Sequence, residues 1–223
     1  MVKIPANFFR AEINWAFDDL ATYARIMEDQ IEGLVKDVRF RLEWTSFGDE
    51  AEEQLEWDEY RRTFKTVLPR TLRYSCVVSL LGVIEASLRN ICEKLYEKNK
   101  LSIKPRKYEE KEREIRKDRS FLDIRLSYIQ DEAKVRVPAH SFTASLYNLK
   151  KVRNRIVHAE GRAEGRKDLD KLTRDIGELK GFTVMGEYIE IKKGACESLT
   201  RQAGDWMDHL MNACGSPYRK AMQ

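Results

Sequence analysis

Between Asn7 and Trp44, apolar residues recur every three or four positions: Phe9, Ile13, Phe17, Leu20, Ala24, Met27, Ile31, Leu34 and Val38. No proline and one glycine interrupt the run, so the pattern predicts a long amphipathic helix, or two helices broken near Gly33. Such a segment serves either as an arm on a partner subunit or as a long core helix. The stretch 45-TSFGDE-50 reads as a turn, with Ser46 or Asp49 capping a second helix that runs toward Thr66 before Pro69 punctuates the chain. The segment 70–100 reads as the central helix, with Val77, Leu80, Leu81, Ile84, Leu88, Ile91 and Leu95 on one wide apolar face.

Polarity then changes. Residues 104–120 (KPRKYEEKEREIRKDRS) carry dense charge of both signs, the pattern of a solvated helix or loop, with an RNA-binding strip as the alternative. A shorter helical stretch over about 121–135 ends at 136-RVPAHS-141, where Pro138 breaks the chain and Ser141 is positioned to cap a helix of about 142–158. Gly161 and Gly165 loosen the chain before a helix of about 166–179. Around Gly186 the strand formers Phe182, Val184, Tyr188, Ile189 and Ile191 predict a short hairpin, and a final helix of about 195–213 places Leu199, Ala203, Trp206 and Leu210 on one face. The expected fold is therefore mostly all-α, with a small β-hairpin near the C-terminus.

At 223 residues the chain is long enough to bury a substantial core, and we expect one domain: an N-terminal helical extension over about 1–66 and a core over about 70–213. A net charge of +4 permits a nucleic-acid partner without demanding one. Cys76, Cys92, Cys196 and Cys214 form no CxxC pair and have no histidine at zinc-finger spacing, so they read as buried thiols and no metal site is expected. The N-terminus carries Glu12 and lacks a secretory pattern, while the apolar patch 76-CVVSLLGVI-84 is too short to span a bilayer. These features lead us to expect a cytoplasmic protein without a membrane partner. No Gly-rich phosphate loop, nucleophile elbow or dinucleotide fingerprint occurs.

The helix of about 142–158 carries the candidate chemistry. On a wheel of roughly 100° per residue, Phe142, Leu146, Leu149, Val152, Ile156 and Val157 cluster together, and Arg153 falls inside that apolar arc. Asn154 and His158, four apart, share its polar flank. An arginine in an apolar arc needs to snorkel, to pair with a carboxylate or to face a second subunit, and Glu85 beside the main face of the central helix is the best carboxylate available. Lys150, Lys151, Arg155, Arg162, Arg166 and Lys167 surround the motif, partly balanced by Glu160 and Glu164, as expected for phosphate contacts. His140 and His209 read as structural or surface residues.

The run Arg153-Asn154-Arg155-Ile156-Val157-His158 resembles the Arg-Asn-x-x-x-His signature of the HEPN superfamily, small all-helical proteins that include bacterial toxin and defence ribonucleases. The context is similar over roughly 70–213: an earlier apolar helix with an inward acidic residue, a glycine after the motif, a short hairpin and a last helix. The resemblance implies a HEPN-like helical bundle and a metal-independent endoribonuclease without cofactor, acting as a homodimer in which two motif helices share one cleft. It implies that His158 moves a proton at the ribose 2′-hydroxyl or the leaving 5′-oxygen, that Arg153 holds the scissile phosphate, and that Asn154 orients one or the other, with Glu85 as the inward acidic residue. Lys150, Lys151, Arg155 and Arg162 then become RNA contacts. A toxin or phage-defence role follows from family habit, with an antitoxin or other regulatory protein as a further class of partner. Some toxins of the superfamily carry a modifiable tyrosine two residues after the histidine; Glu160 stands there, so that control does not carry over. Members that bind RNA without cutting it supply the alternative reading.

Overall fold

A computed structural model describes residues 6–163 and 169–215, with side chains from residue 9 onward. The fold is mostly all-α, with one two-stranded antiparallel hairpin near the C-terminus. Helix α1 spans Ala6–Glu43 without a break. Gly33 does not divide it, because a glycine surrounded by neighbours of good helix propensity costs only about 1 kcal/mol, and its site is open. Asp49 caps α2 (Glu50–Arg62), its carboxylate accepting from the Glu52 N–H at 2.8 Å.

Pro69 does not end the second helix as expected. A π-helical turn over Thr63–Val67 leads directly into α3 (Leu68–Asn99), so the chain is helical from Glu50 to Asn99. Proline forfeits an N–H and crowds the preceding turn, and the wider i→i+5 ring, closed here from Leu68 N–H to Thr63 O, accommodates both. By length and composition this helix includes a stretch apolar enough to cross a membrane, longer than residues 76–84 alone suggested, but Val77, Leu80, Leu81, Ile84 and Leu88 within it are buried in the protein.

Further along lie α4 (Pro105–Ile115), α5 (Phe121–Ser127) with a π turn over Tyr128–Glu132, α6 (Ser141–Ala159), α7 (Leu169–Gly177), β1 (Phe182–Met185), β2 (Tyr188–Ile191) and α8 (Ala195–Ala213). The cap of α6 is His140 rather than Ser141: its Nδ1 accepts from the Phe142 N–H at 3.1 Å and its carbonyl from the Thr143 N–H. Gly165 and the start of the helix expected from residue 166 lie outside the described residues.

The chain divides into two compact units, and the divisions fall inside α1, α3, α6 and α8, which is why no linker marks them in the sequence. The described residues of the first lie within Met1–Asp18, Leu80–Ala144 and Arg201–Gln223. Its core gathers Ile84, Leu88, Ile124, Ile129, Phe142 and Trp206, each less than 2 % exposed. There the charged α4 is solvated yet anchored: Arg125, itself buried, bonds Glu109 at 2.8 Å and the Glu85 backbone carbonyl at 2.8 Å.

The second unit takes Asp19–Ser79 and Ser145–Thr200. Leu20, Ala24, Met27, Ile31 and Val38 of α1 are buried, while Leu34, expected on that face, is 42 % exposed. The hairpin pairs Phe182 with Ile191 and Val184 with Ile189, turning at Gly186 with φ +57°. A side-chain fork fixes it. Arg73 donates Nε and Nη2 to the two oxygens of Glu28 at 2.7 Å each and Nη1 to the Ile191 carbonyl at 2.9 Å. All four cysteines are free thiols, and burial pushes Cys92 up from its ordinary pKa and Cys214 up to about 11.

The Glu28 carboxylate is almost wholly buried, so removing it leaves a buried guanidinium with one remaining partner. We expect Glu28→Ala to lose about 3–5 kcal/mol of stability in urea denaturation, with Glu28→Gln intermediate. An effect below about 1 kcal/mol, within the range of exposed pairs, contradicts this placement.

Candidate functional site

The motif lies in the last two turns of α6. Phe142, Leu146, Leu149 and Val152 are fully buried, so they fix the rotation of the helix. The buried stripe ends earlier along the helix than the sequence suggested: Ile156 is half-buried and Val157 is 48 % exposed. Arg153 lies on the same side of the helix as these residues but past Val152, the last fully buried one, and is half-buried. It donates Nη1 to Asn154 Oδ1 at 3.2 Å in an exposed contact, and the residue is only half-buried, so burial does not impose a carboxylate partner.

Asn154 and His158 are both exposed, one turn apart on a face shared with Tyr147 and Lys151. His158 has no side-chain hydrogen bond among the described residues. Arg153, Asn154 and His158 thus come from consecutive turns of one helix, while Glu85 belongs to the other unit.

The cations around the motif differ in availability. Lys151 is tied to Asp175 of α7 at 2.6 Å, and Arg155 has its Nε and Nη2 buried. Lys150 is half-buried. Arg162 is exposed, with its guanidinium carbon 5.6 Å from the centre of the Tyr188 ring. Arg166, Lys167 and Glu164 lie outside the described residues.

The chain leaves α6 by a forced route. Glu160 and Gly161 adopt φ of +51° and +78°, and the Gly161 N–H bonds the Arg155 carbonyl at 3.0 Å. The Gly161 carbonyl accepts from the Ile189 N–H at 2.9 Å, and the Ala163 N–H donates to Glu187 O at 2.6 Å, so the segment after the motif lies along β2. The Tyr74 hydroxyl donates to the Ile189 carbonyl at 2.6 Å, and burial raises its pKa well above the ordinary phenol value, so it stays a donor in alkali. A Cβ at position 161 would lie 2.2 Å from the Tyr74 ring. Glycine is required here by both backbone and space.

Beside this junction lies a groove of about 540 Å³, lined by Arg70, Thr71, Tyr74, Ser75, Val78 and Ser79 of α3, Ile156 of α6, Glu160 just past its end, and Tyr188 of β2. The sequence reading passed over it. Its signal was present in Thr71, Ser75 and Ser79, three hydroxyls at four-residue spacing along one side of α3. Among the described residues, no group of three or more His, Cys, Asp or Glu side chains is arranged to hold a metal ion. Compared with family models, curated proteins and solved structures, the chain matches none.

Gly161→Ala meets both the ring of Tyr74 and an unfavourable φ, and we expect it to lose about 2–4 kcal/mol in chemical denaturation. Tyr74→Phe, which removes only one hydrogen bond, should lose about 1 kcal/mol. Equal losses in the two variants contradict the steric argument.

Proposed function

We propose that the protein is a metal-independent endoribonuclease of the HEPN type, cutting RNA by attack of the ribose 2′-hydroxyl on the adjacent phosphate, as a toxin or phage-defence effector. The observation that supports this reading best is the display of Asn154 and His158 on one exposed face, with Arg153 hydrogen-bonded to Asn154. Both side chains are exposed, and the amide of Asn154 keeps its NH2 group beside the oxygen that accepts from Arg153, so both can meet a ligand.

The residue types suit the reaction. Attack by a neighbouring hydroxyl requires a proton acceptor, a proton donor and a cation near the phosphorane, and no external nucleophile. Histidine titrates near neutrality and serves as acceptor or donor. Arginine remains charged and grips two phosphate oxygens. The products are a 2′,3′-cyclic phosphate and a 5′-hydroxyl. One motif supplies one histidine, so the reading includes a homodimer whose second motif supplies the other half of the acid-base pair. Val157, apolar and 48 % exposed beside His158, is a natural contact for that second copy.

The test is cleavage of tRNA and total RNA in EDTA, with product ends identified. His158→Ala should slow cleavage by roughly 10² to 10⁴-fold, and Arg153→Ala by roughly 10² to 10³-fold. Cleavage that persists unchanged in both variants sinks the assignment. Salt-sensitive RNA binding without turnover, weakened by Arg153→Ala, would instead identify a non-catalytic RNA-binding dimer.

A further inference from the structure

Helix α1 carries two apolar stripes, and the core uses one of them. Leu20, Ala24, Met27, Ile31 and Val38 are buried. Roughly a third of a turn away, at about 100° per residue, Tyr23, Ile26, Gly33 and Phe40 form a second line. Trp44, just past the helix end, extends it, its ring centre 5.9 Å from that of Phe40. All five are exposed, Phe40 at 62 % and Trp44 at 77 %. The polar contacts that hold α1 in its own unit come from the other side: Arg73 on Glu28, Lys193 on Glu32 and the Tyr60 hydroxyl on the Val35 carbonyl. The exposed line has the spacing of a coiled-coil seam, with Tyr23, Gln30, Asp37 and Trp44 at a and Ile26, Gly33 and Phe40 at d. It runs along about 33 Å of helix.

Gly33 stands at the middle of this seam, and nothing within the chain requires it. A glycine inside a helix costs stability relative to alanine, its φ here is not positive, and a Cβ built on it meets nothing within 4 Å. On an exposed seam, a missing side chain lets a second helix approach closely. The charges then choose the occupant and its direction. Parallel pairing of two copies sets Asp37 against Asp37. Antiparallel pairing about a two-fold axis between Gln30 and Gly33 sets Tyr23 of one copy against Phe40 of the second, Gln30 against Gly33, and Asp29 against Lys36. Among the described residues Lys36 makes no salt bridge, and Asp29 makes an exposed one of 3.7 Å to Arg25. Gln30 and Asp37, the polar a positions, fix register at a cost in stability. Asp29, Asp37 and Glu43 along this side oppose an anionic membrane surface.

We propose that α1 is a self-association surface on which a second copy of this chain lies antiparallel along Tyr23–Trp44, with Gly33 at the close approach. The inference does not rest on the ribonuclease reading, which pairs two copies through α6 and Val157. The resemblance behind that reading spans about 70–213 and leaves α1 out. A chain that makes both two-fold contacts assembles beyond a dimer, into a closed tetramer or an open filament.

The experiment is sedimentation of the full-length chain from low to high micromolar concentration, in a Val157→Glu background that removes any contact through α6. The chain should be a dimer. Phe40→Glu and Gly33→Leu should each raise its dissociation constant about tenfold or more, with helix content by circular dichroism retained. Gly33→Leu separates association from folding, because leucine is the better helix former and its side chain meets open space in the single chain. Asp29→Lys and Lys36→Asp should each weaken the dimer, and the two together should restore it, since only the antiparallel pairing puts these residues opposite each other. Asp37→Leu should tighten it. The proposal is overturned if the chain is monomeric throughout, if the dimer survives both Phe40→Glu and Gly33→Leu, or if the reversed charge pair is no better than either single change. It is also overturned if a monomer floats with vesicles of phosphatidylcholine and phosphatidylserine and Phe40→Glu abolishes that, which assigns the seam to lipid. None of these results bears on cleavage by the His158 motif or on pairing through α6, so the two readings fail separately.

Discussion

A two-stranded hairpin has two open edges, and unpaired backbone groups on a buried edge are costly. The second unit depends on how that problem is met. On β2 the Ile189 carbonyl takes the Tyr74 hydroxyl, the Ile191 carbonyl takes Arg73, and the Ile189 N–H takes the Gly161 carbonyl. Adjacent residues of α3 thus hold two strand carbonyls, and the exit of α6 supplies an acceptor for the N–H that precedes them. Arg73 reaches Ile191 only because Glu28 of α1 grips its other two nitrogens from the opposite side.

This arrangement fixes the end of the motif helix more tightly than helix packing alone would. The last turn of a helix usually frays, because its carbonyls lack partners. Here the Arg155 carbonyl is taken by the Gly161 N–H, the Ala159 carbonyl by the Arg162 N–H, and the chain then runs along β2. His158 sits between these two anchored carbonyls. Its backbone is held while its side chain faces water, the combination a positioned acid-base group requires.

Long-period features were legible in the sequence, and local geometry was not. The helices of α1, α3, α6 and α8, the hairpin at Gly186 and the Asp49 cap all follow from periodicity and turn chemistry acting over many residues. Pro69 misled because proline forbids a normal α-turn but not the π-turn that precedes it. Ser141 misled because its neighbour His140 has an equally suitable acceptor one residue earlier. The rotation of α6 was read nearly correctly, but a wheel cannot show where a helix outruns its core, so Val157 was grouped with the buried residues. The Arg73–Glu28 fork spans 45 residues and the Tyr74–Ile189 bond 115, separations at which no spacing rule operates.

The basic character of the motif region also changes meaning once the contacts are known. Cations at a helix C-terminus complement the dipole, and that explanation would account for Lys150, Lys151, Arg153 and Arg155 without any ligand. Dipole complementarity falls off within the last turn, however, and it favours no particular side of the helix. Lys151 is instead tied to Asp175, and two of the Arg155 nitrogens are buried, so half of that set serves packing. The less committed guanidiniums are Arg153, which turns toward Asn154, and the pair Arg70 and Arg162, which come from other elements and meet on Tyr188. Arg70 lies on α3 and owes nothing to the end of α6. A dipole cannot account for its convergence with Arg162 on one aromatic ring, whereas the attraction of a guanidinium to the π-face of that ring does.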